Sequence, residues 1–196
     1  MLIPEHLILE NSRVILRPLQ QHDLIYLAPF AINEPDTWKF SIVAIVGEPG
    51  MKNYIDTAVK GREEGHSFPF IVFDKQANAY AGCTRFYDIQ PENQSLQLGY
   101  TWYGEKFRLT GLNRNCKLLL LQYAFETLQM ERVEFRADNN NQPSVNAMKA
   151  IGCVPEGVLR NHLPLLNGSR RNSIILSILK KEWEESVKEN LSKMIR

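Results

Sequence analysis

The chain predicts an α/β (α+β) domain, a mixed β-sheet with helices on its faces, and three observations carry that prediction. Short β-branched or strictly alternating runs recur along it. Between them lie longer segments whose apolar residues step by three and four, the spacing of a helix that packs one stripe on a sheet. At the centre, residues 96–102 read as a strand, 104–113 as a short polar loop, and the segment onward to Leu128 as a helix carrying Leu118, Leu121, Phe125 and Leu128 on one face.

In chain order, residues 13–18 form a β-branched strand closed by Pro18. A helix over 23–30 turns Leu24, Leu27 and Ala28 inward, and Asn33-Glu34-Pro35-Asp36 breaks it, leaving Trp38 and Phe40 in an irregular segment. A second helix over 51–64 lines up Tyr54, Ile55, Ala58 and Val59, with Gly65 just past its end. Strands over 68–74 and 80–87 flank a turn at 75–78. After the central strand and helix, residues 131–138 alternate, with Val133, Phe135 and Ala137 on one face. Asn139-Asn140-Asn141 leads into a helix with Pro143 in its first turn, Val145, Met148 and Ile151 as its stripe, and Gly152 as its stop. Strands over 154–160 and 173–179 turn near Asn167-Gly168, a favoured hairpin dipeptide, and a polar helix starts at Lys180. One domain is expected over 10–183, with 184–196 as a C-terminal helical extension.

Composition narrows the function classes. With 196 residues, 44% hydrophobic and 23% charged, the chain suits one globular domain with a substantial core. A formal net charge of +1 implies no bulk attraction to nucleic acid or an anionic membrane. Cys83, Cys116 and Cys153 are dispersed and odd in number, which fits a reducing compartment rather than a disulfide framework. The four histidines are scattered, so no metal site is visible. No apolar run is long enough to span a bilayer and the N-terminus lacks signal-peptide features, so the cytoplasm is the expected location.

The central loop is where chemistry is expected. A strand that passes through a Gly-containing loop into a helix leaves N–H groups pointing outward at the positive end of a helix dipole, a site for a phosphate. Asn113 is the expected N-cap, and Lys106, Arg108, Arg114 and Lys117 are expected to surround the site with positive charge. Neither Gly-x-x-x-x-Gly-Lys-Ser/Thr nor Gly-x-Gly-x-x-Gly is present there.

Arg108-Leu109-Thr110-Gly111-Leu112-Asn113 resembles the Gln/Arg-x-x-Gly-x-Gly/Ala pyrophosphate loop of the GNAT acetyltransferases, with Asn113 in place of the small last residue. Residues 13–19 followed by Asp23 are similar to the opening strand of the RimJ/RimL-like branch of that superfamily. The run from Asp138 through Asn141, Ser144 and Ala147 to Ile151-Gly152-Cys153 resembles its Asn-x-x-Ser helix, and Glu156 to Arg160, followed by a strand into Trp183, its C-terminal hairpin. The resemblance implies a mostly antiparallel sheet of six to seven strands and acetyl-CoA as cofactor, held between the central strand and the 131–138 strand. It further implies direct acetyl transfer to an amine: a protein α-amine, an amino acid or another small amine. Cofactor-binding positions are then Tyr100, Thr101 and Trp102 through their backbone, the loop from Arg108 to Asn113, and Asn141 and Ser144.

The chain departs from the pattern at the chemistry. Gln97 stands where the family often has a glutamate base, and no tyrosine follows Tyr123 to act as the acid for the departing thiolate. Glu156 is the alternative base, directly or through water, and Ser144 the available hydroxyl. Each also has a plain structural role open to it, as a surface carboxylate and a first-turn helix residue. Trp38, Phe40 and His162 are the candidate acceptor-binding residues, and Cys153 reads as a small core residue. The rival reading is an acyl-CoA-binding module with little or no catalytic activity. An exposed sheet edge or hairpin allows a homodimer.

Overall fold

A computed structural model describes residues 3–165 and 168–195. The predicted hairpin residue Asn167 lies outside the described residues. Eight strands form one sheet, one more than the largest number expected, in the order β1-β2-β3-β4-β5-β6-β8-β7. They are β1 (Leu9–Glu10), β2 (Val14–Pro18), β3 (Ser67–Asp74), β4 (Ala79–Gln90), β5 (Ser95–Tyr103), β6 (Arg132–Asp138), β7 (Val154–Pro164) and β8 (Arg170–Leu179). The additional strand is β1, a two-residue pairing on β2 too short to show a period. Every neighbouring pair is antiparallel except β5 and β6.

Strand alternation sorts side chains onto two faces. On β3, Phe68, Phe70 and Val72 join one core layer and Ile71 the other. The larger layer lies under α3 (Leu112–Gln122) and α4 (Gln142–Ala150). It takes Leu96 and Leu98 from β5 and Val133 and Phe135 from β6. The smaller lies under α1 (Leu24–Asn33) and α2 (Gly47–Glu63), and buries Leu27, Tyr54, Ile55, Ala58, Cys83 and Trp102.

α2 begins a turn before the expected Met51 because Gly47-Glu48-Pro49 already supplies an acidic first turn. The central helix ends in a π turn (Tyr123–Thr127), and its buried stripe runs through Leu112, Cys116, Leu120 and Leu121 to Phe125. Leu118 and Leu128 lie at the margin of that stripe, partly buried against the core. After β8, α5 (Lys180–Glu182) passes through a π turn (Trp183–Val187) into α6 (Lys188–Lys193). Trp183, Val187 and Leu191 are buried in the larger layer, so the segment packs one face on the core. Among the described residues no helix is long and apolar enough to cross a membrane.

Candidate functional site

The sheet opens in the middle. β5 pairs with β6 only where Ser95, Leu96 and Gln97 face Arg132, Val133 and Glu134. Past Gln97, β5 continues along β4 while β6 continues along β8, so the parallel pair splays. At the start of that opening β5 bulges: Arg85 faces Gly99, whereas Cys83, two residues earlier, faces Trp102. Tyr100 sits at the bulge with φ 48, a left-handed conformation uncommon for an aromatic residue. Bulges redirect backbone and side chains, and here the redirected segment is residues 100–102.

Two helices start at the splayed ends, α3 after β5 and α4 after β6, so both positive dipole ends lie beside the opening. Ligands of open α/β sheets bind where neighbouring strands part and helices begin. The N-cap of α3 is Gly111 at φ 85, not Asn113, because the chain must turn left-handed to enter the helix. Among the described residues, the N–H groups of Leu109, Thr110, Gly111, Asn113 and Arg114 meet no protein acceptor; that of Leu112 reaches Thr110 Oγ1 at 3.4 Å. A Cβ built on Gly111 meets nothing within 4 Å, so open space lies above these donors. They fit a diphosphate such as that of acetyl-CoA. A cleft of about 380 Å³ lined by Arg13, Asp74, Lys106, Phe107 and Thr110 adjoins the loop.

The side chains here do other work than expected. Arg108 braces the loop, donating Nε to the Tyr103 carbonyl at 3.0 Å and Nη2 to Thr37 Oγ1 at 2.6 Å. Thr110 Oγ1 donates to the Phe107 carbonyl, Leu109 is exposed and Leu112 is buried in the core. Asn113 Oδ1 accepts from the Tyr103 hydroxyl at 3.2 Å, tying α3 to β5. Lys117 corrects the sequence reading outright. It points into the protein, away from the helix N-terminus, and is 4% exposed. Its Nζ donates to Thr101 Oγ1 at 2.8 Å and Thr84 Oγ1 at 3.3 Å, and lies 6.0 Å from the Phe135 ring centroid. Burial lowers its pKa from 10.5 to about 8.

On the other lip, Asn141 caps α4 by accepting from the Ser144 N–H at 3.3 Å. The Ser144 hydroxyl has no partner among the described residues and is half-buried. Cys153 is buried and its thiol is pushed up to about 12 by burial; Cys116 is likewise pushed up to about 11. Neither is a thiolate nucleophile at neutral pH, in keeping with transfer without an acyl-enzyme.

The opposite face carries the remaining candidates. Glu156, at the start of β7, is gripped by both Arg132 nitrogens at 2.5 Å and accepts from Ser177 Oγ at 2.7 Å. The Arg132 bond holds its carboxyl below the usual range, so the geometry gives it an ion-pair role and makes it a poor base. Gln97 is buried and donates Nε2 to Asp88 Oδ2 at 2.6 Å. Trp38 packs edge-on against Trp102 with centroids 4.7 Å apart, and Trp102 Nε1 donates to the Tyr54 hydroxyl. Phe40 is half-buried beside Lys39. His162 lies within β7, which runs past the expected end at residue 160, with Nδ1 2.9 Å from Ser173 Oγ.

Two residues here escaped sequence reasoning. Asp88 gives no signal, being an exposed acid near a strand end. Arg85 gives a faint one: it is a charge inside the otherwise uncharged run 79–87, on the same phase as the buried Cys83.

The profile of the acetyltransferase (GNAT) domain matches residues 13–154. YdaF of Bacillus subtilis (strain 168), provisionally named a ribosomal N-acetyltransferase, is 31% identical over 103 residues, 53% of this chain and 55% of that protein. That match therefore spans about half the relative's length. A structure from T. thermophilus, provisionally described as an acetyltransferase, has a TM-score of 0.86 at 30% identity, covering 99% of this chain and 98% of that one. A GCN5-related N-acetyltransferase from Brucella melitensis shares the fold, with a TM-score of 0.90 at 24% identity over 98% and 87% of the two chains.

Proposed function

The chain belongs to the GNAT acetyltransferase family, and we propose that it moves the acetyl group of acetyl-CoA to a primary amine, on a protein N-terminus or a small molecule. The similarity to YdaF supports the RimJ/RimL-like branch. The observation that carries the reading is the parting of β5 from β6 after Gln97, with a helix N-terminus and free N–H groups beside it.

When bound, acetyl-CoA supplies the acetyl group as a thioester for direct transfer. The N–H groups of residues 109–111, 113 and 114 would hold its diphosphate, with the α3 dipole behind them. The bulged backbone at residues 100–102 would offer N–H groups to the thioester carbonyl, where fixed dipoles aid transfer most. Asn141, its oxygen occupied by the cap, would offer its amide N–H to the pantetheine arm. The Ser144 hydroxyl would relay a proton to the departing sulfur, replaced by the one that the acetylated nitrogen sheds, and the positive end of α4 would favour the thiolate. Trp38, Phe40 and His162 border the approach of the amine. With Glu156 locked by Arg132, the amine would enter neutral. The three described cysteines are free and buried, which fits the cytoplasm.

Release of CoA-SH from acetyl-CoA with a panel of peptides and small amines tests the reading. Turnover should rise with pH through the pKa of each amine, moving when the amine is changed. A fixed limb near a carboxylate pKa, the same for every amine, contradicts an enzyme without a base. No CoA-SH release with any amine removes the proposal.

A further inference from the structure

Arg85 is 6% exposed, and its Nε and Nη2 have no hydrogen-bond partner among the described residues. It lies in β4 between Thr84, which faces Lys117, and Phe86, which joins the α3–α4 layer. Its own side chain therefore projects to the opposite face. There the guanidinium carbon sits 4.3 Å from the Tyr100 ring centroid and 5.4 Å from that of Tyr54. Aromatic faces attract a cation but accept no N–H in the plane of the guanidinium fork, so the directed donors on Nε and Nη2 remain unused. Buried donors on a charged group without an acceptor are costly.

A second unpartnered buried atom lies beside it and has the opposite character: Gln97 Oε1, an acceptor. Arg85 faces Gly99 and Gln97 faces Tyr87, which makes Arg85 and Gln97 diagonal neighbours across β4 and β5. Such pairs stand about 7–8 Å apart on one face. Both flank the bulge that carries Tyr100. The neighbouring arginines on this side have partners: Arg136 bonds Glu134 at 2.6 Å, and Arg171 donates Nε to Ser173 Oγ at 2.8 Å.

We propose that Arg85 and Gln97 form the acceptor subsite for an amine that also carries a carboxylate, the guanidinium taking the carboxylate and Gln97 Oε1 an N–H of the amine. The proposal rests on the reading of the chain as an amine acetyltransferase and names the acceptor's class. The planar guanidinium fork matches a carboxylate with two parallel bonds, which a lysine cannot reproduce. Tyr100, 40% exposed, is the ring over the cation, and exposed side chains change rotamer within picoseconds to nanoseconds. The cover is therefore movable.

The carboxylate has two sources, the α-carboxylate of an amino acid or the acidic side chain of a peptide, and two arms separate them. Calorimetry measures binding of N-acetylalanine against N-acetylalanine amide, and of C-terminally amidated, N-acetylated peptides beginning with Glu against those beginning with Gln. The wild-type protein should prefer the carboxylate partner at least tenfold in one arm, which identifies the source. Arg85→Gln should bring that ratio to about one, and Arg85→Lys should leave it in between. Thermal melting checks that each variant is folded, and Arg85→Lys carries the test if Arg85→Gln does not fold. Equal affinity within both arms, no binding in either, or a preference that survives substitution of Arg85 overturns the proposal. CoA-SH release is read separately: its failure with every amine would sink the acetyltransferase reading without altering what calorimetry says of Arg85.

Discussion

Two cations are buried on opposite faces of the β4–β5 pair, and they are treated differently. Lys117 reaches the sheet from α3 and finds two threonine hydroxyls, Thr84 and Thr101, which also bond each other at 2.8 Å. Arg85 points the other way and leaves two N–H groups without an acceptor. The first is a satisfied polar cluster within a packed layer, the second an unsatisfied group beside the bulge. Burial of charge alone calls for no functional explanation; a missing partner does call for one.

Lys117 should show the largest effect in a test of that contrast. Its pKa of about 8 lies below the usual 10.5, so the unfolded chain holds this proton more tightly. The resulting penalty is fully present below pH 8 and is lost as pH rises to 10.5. Stability measured against Lys117→Met should therefore climb by about 3 kcal/mol across that window. Denaturant titrations at both ends check it, and a flat difference would mean that the ammonium is well solvated.

Arg85 sharpens the comparison from the other side. Arg85→Gln removes an unpaired buried charge, so the unliganded protein should gain about 1–3 kcal/mol, the scale of an unsatisfied buried donor. A loss of that size would mean that Arg85 has a partner in the folded protein and is a structural cation like Lys117.

How far the sequence revealed these features follows from their physics. The strand and helix order was legible because strand alternation and helical stripes are local patterns, as at Val133, Phe135 and Ala137. The loop at 108–113 was legible as a turn into a helix, but the roles of its side chains were not: Arg108 and Asn113 turn inward to brace it, and its backbone N–H groups are what stays free. Lys117 was misread because its position early in the helix says nothing about which way a long side chain lies. Glu156 was offered as a base because Arg132, 24 residues earlier, becomes its partner only when β6, β8 and β7 assemble. Arg85 gains its meaning from partners it lacks, a property that no spacing encodes.

On the α4 lip the expected effects are smaller. Asn141→Ala should weaken acetyl-CoA binding and lose the cap on the Ser144 N–H, each by about 1 kcal/mol. Ser144→Ala should lower kcat while leaving the KM for acetyl-CoA nearly unchanged, the signature of an interaction made only in the transition state. An unchanged kcat would leave water as the proton donor. Glu156→Gln should cost least, below about 1 kcal/mol, because the Arg132 pair is partly exposed. Its contribution is present above the ordinary glutamate pKa and fades as pH falls through the lowered folded value, and kcat should hardly move.

The central claim is that the N-terminus of α3 holds the diphosphate of acetyl-CoA, and Gly111→Ala tests it most directly. The added Cβ meets nothing within 4 Å in the protein, so crowding would come from the ligand alone. The left-handed φ of 85 adds about 1–2 kcal/mol of strain, which melting reports separately. Calorimetry should show acetyl-CoA binding at least tenfold weaker to the folded variant than to the wild type. Equal affinity would contradict the claim and move the cofactor away from this loop.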